Sequence, residues 1–208
     1  MIRPAACVRV SEFAAALVVA ALLLLPWSGP SPGRQVPSVS AQQDVASLLI
    51  SGVLYNGYQY LDTDEAVELS NVGDMTTTLS GWDLCDGLEC YDLPDVPVAP
   101  QSRIWLTRDA AAFTASFGYS PTCELLRWPR LNDDGDVVVL RAPDGTVVDT
   151  LVYESWSGAV PEWTGENVRP YLGLSMGEAG QILSRVDDES SGLPAGDANT
   201  ERDWIQSL

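Results

Sequence analysis

The stretch LNDDGDVVVLRAPDGTVVDTLVY, from Leu131 to Tyr153, decides which fold the sequence predicts. Two valine-rich runs with strand character flank the central tripeptide Pro143-Asp144-Gly145. Proline presets φ at about −65°, and glycine accepts the positive φ that a bulged type I turn requires. The stretch therefore predicts a β-hairpin.

The aspartates at the start of this stretch raise the question of a metal site. Asp133, Asp134 and Asp136 lie in the loop LNDDGD, where Asn and Asp side chains can hydrogen-bond the local backbone. The EF-hand calcium pattern, with its central glycine and its glutamate at position 12, does not occur in this loop. We therefore favour a turn and expect no cofactor, and we keep these three aspartates as the candidate ligands should Ca²⁺ bind.

The chain after residue 41 continues this alternation of short apolar segments with Gly, Pro, Asn and Asp. Eight such segments predict strands, at residues 47–55, 65–69, 81–85, 89–93, 102–107, 136–142, 146–153 and 181–186. Several short strands separated by turn residues are typical of a β-sandwich or barrel. We find no repeated unit and no second domain.

One segment, RDAAAFTASFGY at residues 108–119, departs from the strand pattern. Its two phenylalanines are four positions apart, which places them on one face of a helix. Either Thr107 or Asp109 can cap the start of this helix, and Gly118 can end it. The segment therefore predicts a short helix, or alternatively an Ω-like excursion, within an otherwise all-β chain.

The charge of the chain excludes one class of partner. It contains 11 basic and 29 acidic residues, for a formal net charge of −18. Residues 1–41 contribute +2 to this total, so residues 42–208 carry −20. Such a field repels phosphate backbones, and nucleic-acid affinity depends on neutralising phosphates with Lys and Arg. We expect no nucleic-acid binding, whereas cations, including Ca²⁺, are attracted.

The chain contains no histidine, which removes several kinds of catalysis. Nucleophile activation by a Ser-His-Asp or Cys-His arrangement is not available. The usual histidine-containing zinc sites are excluded as well. Paired carboxylates could still hydrolyse glycosidic bonds, but among 29 acidic residues no pair stands out. We therefore expect a protein that is not an enzyme.

The N-terminus has the pattern of an export signal. Two arginines precede the apolar run Phe13–Leu25, and Val39-Ser40-Ala41 resembles a cleavage site. The run spans about 20 Å as a helix, less than the roughly 30 Å of a hydrocarbon core. We predict a signal peptide at residues 1–41 and a secreted or cell-surface domain at residues 42–208. The alternative is that the apolar run is an uncleaved anchor followed by a Pro/Ser/Gly-rich linker. Only in that case do we expect the protein to contact a membrane.

Several segments taken together resemble a known family. They are DEAVELSNVGDMTTTLSGWDL (64–84), VAPQSRIWLT (98–107), the hairpin already quoted, GQILSR (180–185) and DANTERDW (197–204). In this order they are similar to the lamin-tail domain, an immunoglobulin-like β-sandwich that also occurs in many exported bacterial proteins. The resemblance implies an interaction module without known catalysis.

Within such a sandwich, four side chains are expected to point into the core. Trp82 and Leu84 would lie on the inner face of one strand, and Val67 and Leu69 on that of the preceding strand. We also expect the C-terminal segment of the domain to return to the sheet. Arg185 and the step Asp203-Trp204 would hold it against an edge strand that is otherwise exposed.

The cysteines predict one disulfide and leave a second question open. Cys85 and Cys90 flank a short turn that would place them opposite each other, and outside the cell such a pair oxidises. We favour the Cys85–Cys90 pair. If residues 1–41 are removed, Cys123 is left unpaired as a buried thiol or forms an intermolecular bridge, or it replaces Cys85 as the partner of Cys90.

Aromatic residues in the Gly/Pro-rich connection before the last strand are the remaining candidate binding residues. Trp156, Trp163 and Tyr171 could stack on sugars if their rings are exposed. The structural alternative, which we prefer, is that they cover the open end of the sandwich.

These observations predict a non-catalytic, exported interaction or adhesion module of lamin-tail type. Its partner would be a cell-surface or extracellular protein or a cell-surface glycan, bound by a face, edge or loop of the sandwich. An alternative is a calcium-assisted carbohydrate-binding module that uses Trp156 and Trp163. A more remote one is an accessory subunit of a secreted hydrolase.

Overall fold

A computed structural model of the chain describes Cys7 and residues 47–160, 162–169 and 178–205, in which β-strands are the main secondary structure. The strands are β1 Leu48–Leu54, β2 Ala66–Asn71, β3 Thr77–Thr78, β4 Asp83–Cys85, β5 Cys90–Asp92, β6 Pro97–Val98, β7 Ser102–Thr107, β8 Cys123–Glu124, β9 Gly135–Arg141, β10 Val147–Glu154 and β11 Leu183–Ser184. One helix, α1 Ala110–Phe117, and short 3-10 turns at Tyr60–Asp62 and Glu201–Asp203 complete the described elements.

The strands form two main sheets that share one core. The first has five strands in the order β11-β1-β2-β7-β8, and the second has four in the order β10-β9-β4-β5. All pairs in these sheets are antiparallel except β7 with β8, which follow each other through α1 and run parallel. A separate two-stranded sheet pairs β3 with β6. The predicted immunoglobulin-like β-sandwich with one short helix is confirmed.

The core contains the side chains that the alternation pattern predicted. Val67 and Leu69 of β2 and Leu84 of β4 are fully buried, and Trp82 is 8% exposed. They belong to one hydrophobic cluster to which both sheets contribute. Alternate residues of each strand thus face the opposite sheet, the arrangement by which aligned sandwiches form their core.

The hairpin predicted between Leu131 and Tyr153 forms. Strands β9 and β10 pair along their length, with Thr150 opposite Val139 and Leu151 opposite Val138. The backbone N–H of Gly145 donates to the carbonyl of Ala142 at 2.8 Å, and Gly145 has a φ of 86°. The turn therefore uses the positive φ for which the glycine was predicted.

Helix α1 forms as predicted, and one of the two candidate residues caps its N-terminus. The side chain of Asp109, rather than that of Thr107, accepts a hydrogen bond from the N–H of Ala112 at 2.8 Å. Gly118 ends the helix with a φ of 78°, a left-handed conformation that glycine adopts at little cost. Phe113 buries this helix against a second, smaller cluster.

The C-terminal segment returns to the edge of the five-stranded sheet. The predicted strand at residues 181–186 is reduced to the two residues of β11, and the segment beyond it pairs with its neighbours instead. Val186 donates to the carbonyl of Asp203 at 2.7 Å, and Ile205 donates to that of Ser184 at 2.9 Å. These bonds cover the edge that would otherwise expose unpaired backbone groups.

Two disulfides join described residues, and one of them includes Cys7 of the predicted export signal. Cys85 is bonded to Cys90 across the β4–β5 turn, whereas Cys123 is bonded to Cys7. The expectation for Cys123 concerned a chain without residues 1–41, so this bond of the full-length chain leaves it a prediction.

The predicted export signal, residues 1–41, lies outside the described residues apart from Cys7. The boundary between residues 41 and 42 therefore stays a prediction. Within the part of the chain that the structure describes, no helix is both long and apolar enough to cross a membrane.

Candidate functional site

An open pocket of about 720 Å³ lies where the loops that follow β1, β7 and β8 meet. Acidic side chains line it from two loops, Asp62 and Glu65 before β2 and Asp133 before β9. Apolar walls come from Leu61 and Leu126. Volumes of about 300–1,000 Å³ are typical of ligand sites. We call this feature the acidic pocket.

Glu65 is the most buried acid of the pocket. The residue is only 3% exposed, and its Oε2 is buried. The guanidinium Nη1 of Arg108 lies 3.7 Å from that oxygen, too far for a hydrogen bond. Burial raises the pKa of Glu65 to about 8, against the lowering effect of Arg108, and Asp62 adds to the rise. Glu65 is therefore mostly protonated at neutral pH.

The pairing of β2 with β7 explains why Glu65 and Arg108 meet. Glu65 directly precedes β2 and Arg108 directly follows β7, and these antiparallel neighbours bring the two positions to the same end of the sheet. The N–H of Arg108 donates to the carbonyl of Glu65 at 3.0 Å, and the hydroxyl of Thr107 donates to the same carbonyl at 2.8 Å. The backbone of Glu65 is thus fixed independently of its carboxyl group.

The rim of the pocket is held in an uncommon backbone conformation. Leu61 and Asp62 have φ values of 59° and 52°, in the left-handed region that non-glycine residues seldom occupy. Three hydrogen bonds fix this turn. Gly57 N–H donates to the Asp62 carboxylate, Glu65 N–H donates to the Asp62 carbonyl, and the Arg108 guanidinium donates to the Leu61 carbonyl, each at 3.0 Å. The turn leaves Leu61 63% exposed.

Asp64, beside this turn, has a structural task. Its fully buried carboxylate accepts from the N–H groups of Tyr58 and Gln59 and from the hydroxyl of Ser116 in α1. A Cβ atom on Gly57 would overlap its Oδ1, so only glycine fits there. Asp64 therefore joins the loop to the helix and is not available to a ligand.

The opposite wall of the pocket comes from the segment between β8 and β9. The indole Nε1 of Trp128 is buried beside the Glu65 carboxyl, and as a donor to that carboxyl it lowers the pKa of Glu65. Asp133 is half-buried, and burial raises its pKa, with further contributions from Asp62 and Asp134. The carboxyl groups of the two loops are thus close enough to influence one another.

The three calcium candidates take separate positions. Asp133 lines the pocket and Asp134 is exposed, whereas the buried carboxylate of Asp136 accepts hydrogen bonds from the N–H groups of Asn132 and Val137. The Asp136 carboxylate therefore stabilises the local backbone, as the turn prediction requires. Over the described ranges, no group of three or more His, Cys, Asp or Glu side chains has the arrangement of a metal site. Calcium binding in solution stays to be tested.

The described aromatic candidates are less exposed than residues that stack on sugars. Trp163 is half-buried against the main core. Trp156 is also half-buried, and a Cβ atom on Gly158 would lie 2.6 Å from its ring, so the indole covers the backbone of its own loop. Tyr171 lies outside the described residues. These positions favour the structural alternative, and contact of these residues with a ligand stays a prediction.

Sequence reasoning missed Glu65, Arg108 and Trp128 as members of a site. One signal was available, since Glu65 and Arg108 are charged residues at the adjoining ends of two predicted strands. For Trp128 no comparable signal exists, because it lies in an irregular segment whose path is set by the tertiary structure.

Comparison with sequence models of protein families identifies a match. The sequence model described as Lamin Tail Domain matches residues 41–155, which are 115 of the 208 residues. This range contains the hairpin and all the residues named for the acidic pocket. No curated protein matches the chain.

Proposed function

The chain belongs to the lamin tail domain family, and we propose that it is an exported, non-catalytic module that binds a protein through the surface around the acidic pocket. The family match supports an immunoglobulin-like interaction domain. Which surface binds, and what it binds, are our proposals.

Exposed apolar side chains beside the pocket carry this proposal. Tyr60 is 86% exposed, Leu61 63% and Leu126 57%, and the latter two form walls of the pocket. Single exposed apolar residues are ordinary, but a group of them around a concave site is typical of a binding surface. Apolar and aromatic side chains around a polar depression match the composition of protein interfaces.

Two observations support an extracytoplasmic location. The Cys85–Cys90 disulfide requires an oxidising compartment to persist. The arginines and the apolar run at the N-terminus have the pattern of an export signal. The partner would accordingly be a secreted or cell-surface protein. The charge of −20 on residues 42–208 disfavours nucleic acid as the ligand.

The test compares Leu126→Asp with a matched control elsewhere on the domain. Leu88 is also exposed, at 86%, but lies in the β4–β5 turn, so Leu88→Asp adds the same charge away from the pocket. Each immobilised full-length chain is exposed to the secreted and cell-surface proteins of its own organism, and retained proteins are identified and re-tested in purified form.

We expect one partner that binds the wild type and Leu88→Asp and loses at least about tenfold in affinity for Leu126→Asp, since central apolar contacts dominate interface energies. Equal affinity for all three proteins, or no specific partner, would overturn the proposal.

A further inference from the structure

Strand β5 bonds to β4 through every second residue. Asp86 N–H donates to the Glu89 carbonyl at 3.1 Å, and Leu93 N–H donates to the Trp82 carbonyl at 2.7 Å. Bonded and non-bonded positions alternate along an antiparallel pair of strands, and β4 and β5 are antiparallel. The backbone groups of Glu89, Tyr91 and Leu93 therefore point towards β4.

The other two residues of β5, Cys90 and Asp92, direct their N–H and C=O groups to the outer edge of the four-stranded sheet. No other described residue forms a backbone hydrogen bond with these groups, and both residues are exposed. Strand β5 thus presents, in register, the donors and acceptors to which a further antiparallel strand would bond.

The remaining outer strands of the two main sheets have cover at their edges. On β10, the Val152 carbonyl accepts a hydrogen bond from the N–H of Val168 at 2.8 Å. On β11, the Ser184 carbonyl accepts from the C-terminal segment at 2.9 Å, and on β8 Cys123 forms a bridge with Cys7. An open edge is a template for pairing with another chain. Within the described part of the chain, β5 offers such a template.

A groove of about 330 Å³ lies along the open edge of β5. We call it the edge groove, and it is lined by residues 90–94 and, from the segment after β8, residues 125–127. Leu93 and Leu125 are buried apolar residues of this lining. Leu126 lines both the edge groove and the acidic pocket. The edge groove therefore adjoins the surface that we propose as the binding surface.

Strand geometry fixes which side chains of an added strand would reach the edge groove. The guanidinium carbon of Arg127 lies 4.8 Å from the centre of the Tyr91 ring, so this ring faces the groove. Directly opposite residues of paired strands have their side chains on the same face. The residue opposite Tyr91 would therefore place its side chain over the groove, where an apolar side chain fits. The residues opposite Cys90 and Asp92 would lie on the outer face, where exposed Asp92 favours a basic neighbour.

From this complementarity we propose that the partner protein adds an extended segment as an antiparallel strand to the outer edge of β5. The segment has a basic–apolar–basic pattern, with its apolar residue opposite Tyr91. Backbone hydrogen bonds supply affinity and the groove selects the apolar side chain, as in other complexes formed by strand addition. A second copy of this chain fits less well, because two domains with a charge of −20 on residues 42–208 repel each other. This inference rests on the proposed function and adds to it the form in which the partner is bound.

The first experiment uses the full chain and three forms of one blocked pentapeptide, acetyl-Thr-Lys-Leu-Lys-Thr-amide. One form is unmodified. The second is N-methylated at both lysines, which removes the donors that would face Cys90 and Asp92. The third is N-methylated at leucine and at the last threonine, whose N–H groups would face away from β5. Side chains and charge are the same in all three, and binding is followed at fixed ionic strength through the amide resonances of Cys90 and Asp92.

A pair of variants tests the same edge from the side of the protein. Asp92→Pro removes the outward N–H without removing a bond to β4, and proline is tolerated at such edge positions. Asp92→Ala is the matched control, since it removes the same charge and keeps the N–H. Thermal unfolding of both variants distinguishes lost binding from lost folding.

We expect the unmodified peptide and the third form to bind within about threefold of each other. The second form should bind at least about tenfold more weakly, because two hydrogen bonds between the strands are lost. Asp92→Pro should bind the unmodified peptide about tenfold more weakly than Asp92→Ala does, for the same reason. The bound peptide should also slow hydrogen exchange of the Cys90 and Asp92 amides.

Equal affinity of the two methylated peptides, equal affinity of Asp92→Pro and Asp92→Ala, or no binding of the unmodified peptide at millimolar concentration would overturn the inference. Sedimentation of the chain alone tests the other occupant, and a dimer that Asp92→Pro dissociates would also overturn it. The proposed function is judged by its own test. If Leu126→Asp releases the partner while Asp92→Pro retains it at wild-type affinity, the surface binds a protein but not by strand addition.

Discussion

The guanidinium of Arg185 lies 2.6 Å from the carboxylate of Asp149, and both side chains are almost completely buried. The pair also binds the backbone of Ile50 in β1. Asp149 accepts from the Ile50 N–H at 2.6 Å, and Arg185 Nε donates to the Ile50 carbonyl at 2.8 Å. On the side of β1 away from β2, strand β11 pairs only with Gly52 and Val53. At Ile50, the side chains of Arg185 and Asp149 therefore take the hydrogen bonds that a neighbouring strand would otherwise make.

This pair should be a principal determinant of stability. Removing one partner leaves a buried charge without compensation, and we expect Arg185→Met to lower the free energy of unfolding by about 3–5 kcal/mol. The matched control is Arg202→Met, because that side chain is 89% exposed. Denaturant unfolding of the two variants is the measurement. An Arg185→Met protein as stable as the control would show that the pair adds nothing net.

Glu65 should make stability depend on pH. Its folded pKa of about 8 is above the ordinary value of 4.5, so the native state binds more protons than the unfolded state between these values. This contribution to stability is complete below about pH 4.5 and is lost as the pH rises to 8, at up to about 1.4 kcal/mol per pH unit. Burial raises the pKa of Asp149 to about 7. Asp149 therefore also makes the protein less stable as the pH rises.

Glu65→Gln should therefore match the wild type near pH 4.5 and become the more stable protein at pH 8. Unfolding curves from pH 4.5 to 8.5 test this, with exposed Glu162→Gln as the control. Parallel curves for the wild type and Glu65→Gln would refute the assignment.

Calcium should have no specific effect on the domain. We expect equal melting temperatures in EDTA and in millimolar Ca²⁺ or Mg²⁺ at constant ionic strength, because Asp136 is occupied by its turn and Asp134 is exposed. A site filled at a hundred times its Kd would add about 2.7 kcal/mol. A rise in melting temperature that occurs with Ca²⁺ but not with Mg²⁺, and that disappears in Asp133→Asn, would instead show a calcium site that includes Asp133.

The Cys85–Cys90 disulfide should stabilise the β4–β5 turn. For so short a loop, chain entropy predicts a loss of about 2 kcal/mol on removal of the bond. Cys90→Ala tests this while retaining the buried side chain of Cys85. Leu88→Ala, in the same turn and exposed, should leave stability unchanged. If the two variants unfold at the same denaturant concentration, the bond does not stabilise the domain.

The fold was accessible from sequence wherever neighbouring residues decide the conformation. The Pro143-Asp144-Gly145 turn, the strands beside it and the cap at Asp109 depend on backbone preferences and hydrogen bonds within a few residues. The inward position of Trp82 follows from the two-residue period of a strand. Short pairings such as β3 with β6 were missed, because two residues carry no periodicity.

The sequence by itself therefore determined the sandwich, its helix and its main hairpin, as well as the charge that disfavours nucleic acid. Only the tertiary structure decided that Glu65 is buried beside Arg108, that Trp128 closes the same pocket, and that Asp149 pairs with Arg185. The physical reason is that burial and charge pairing depend on segments distant in the chain. Turn geometry and strand alternation depend on adjacent residues, which the sequence displays directly.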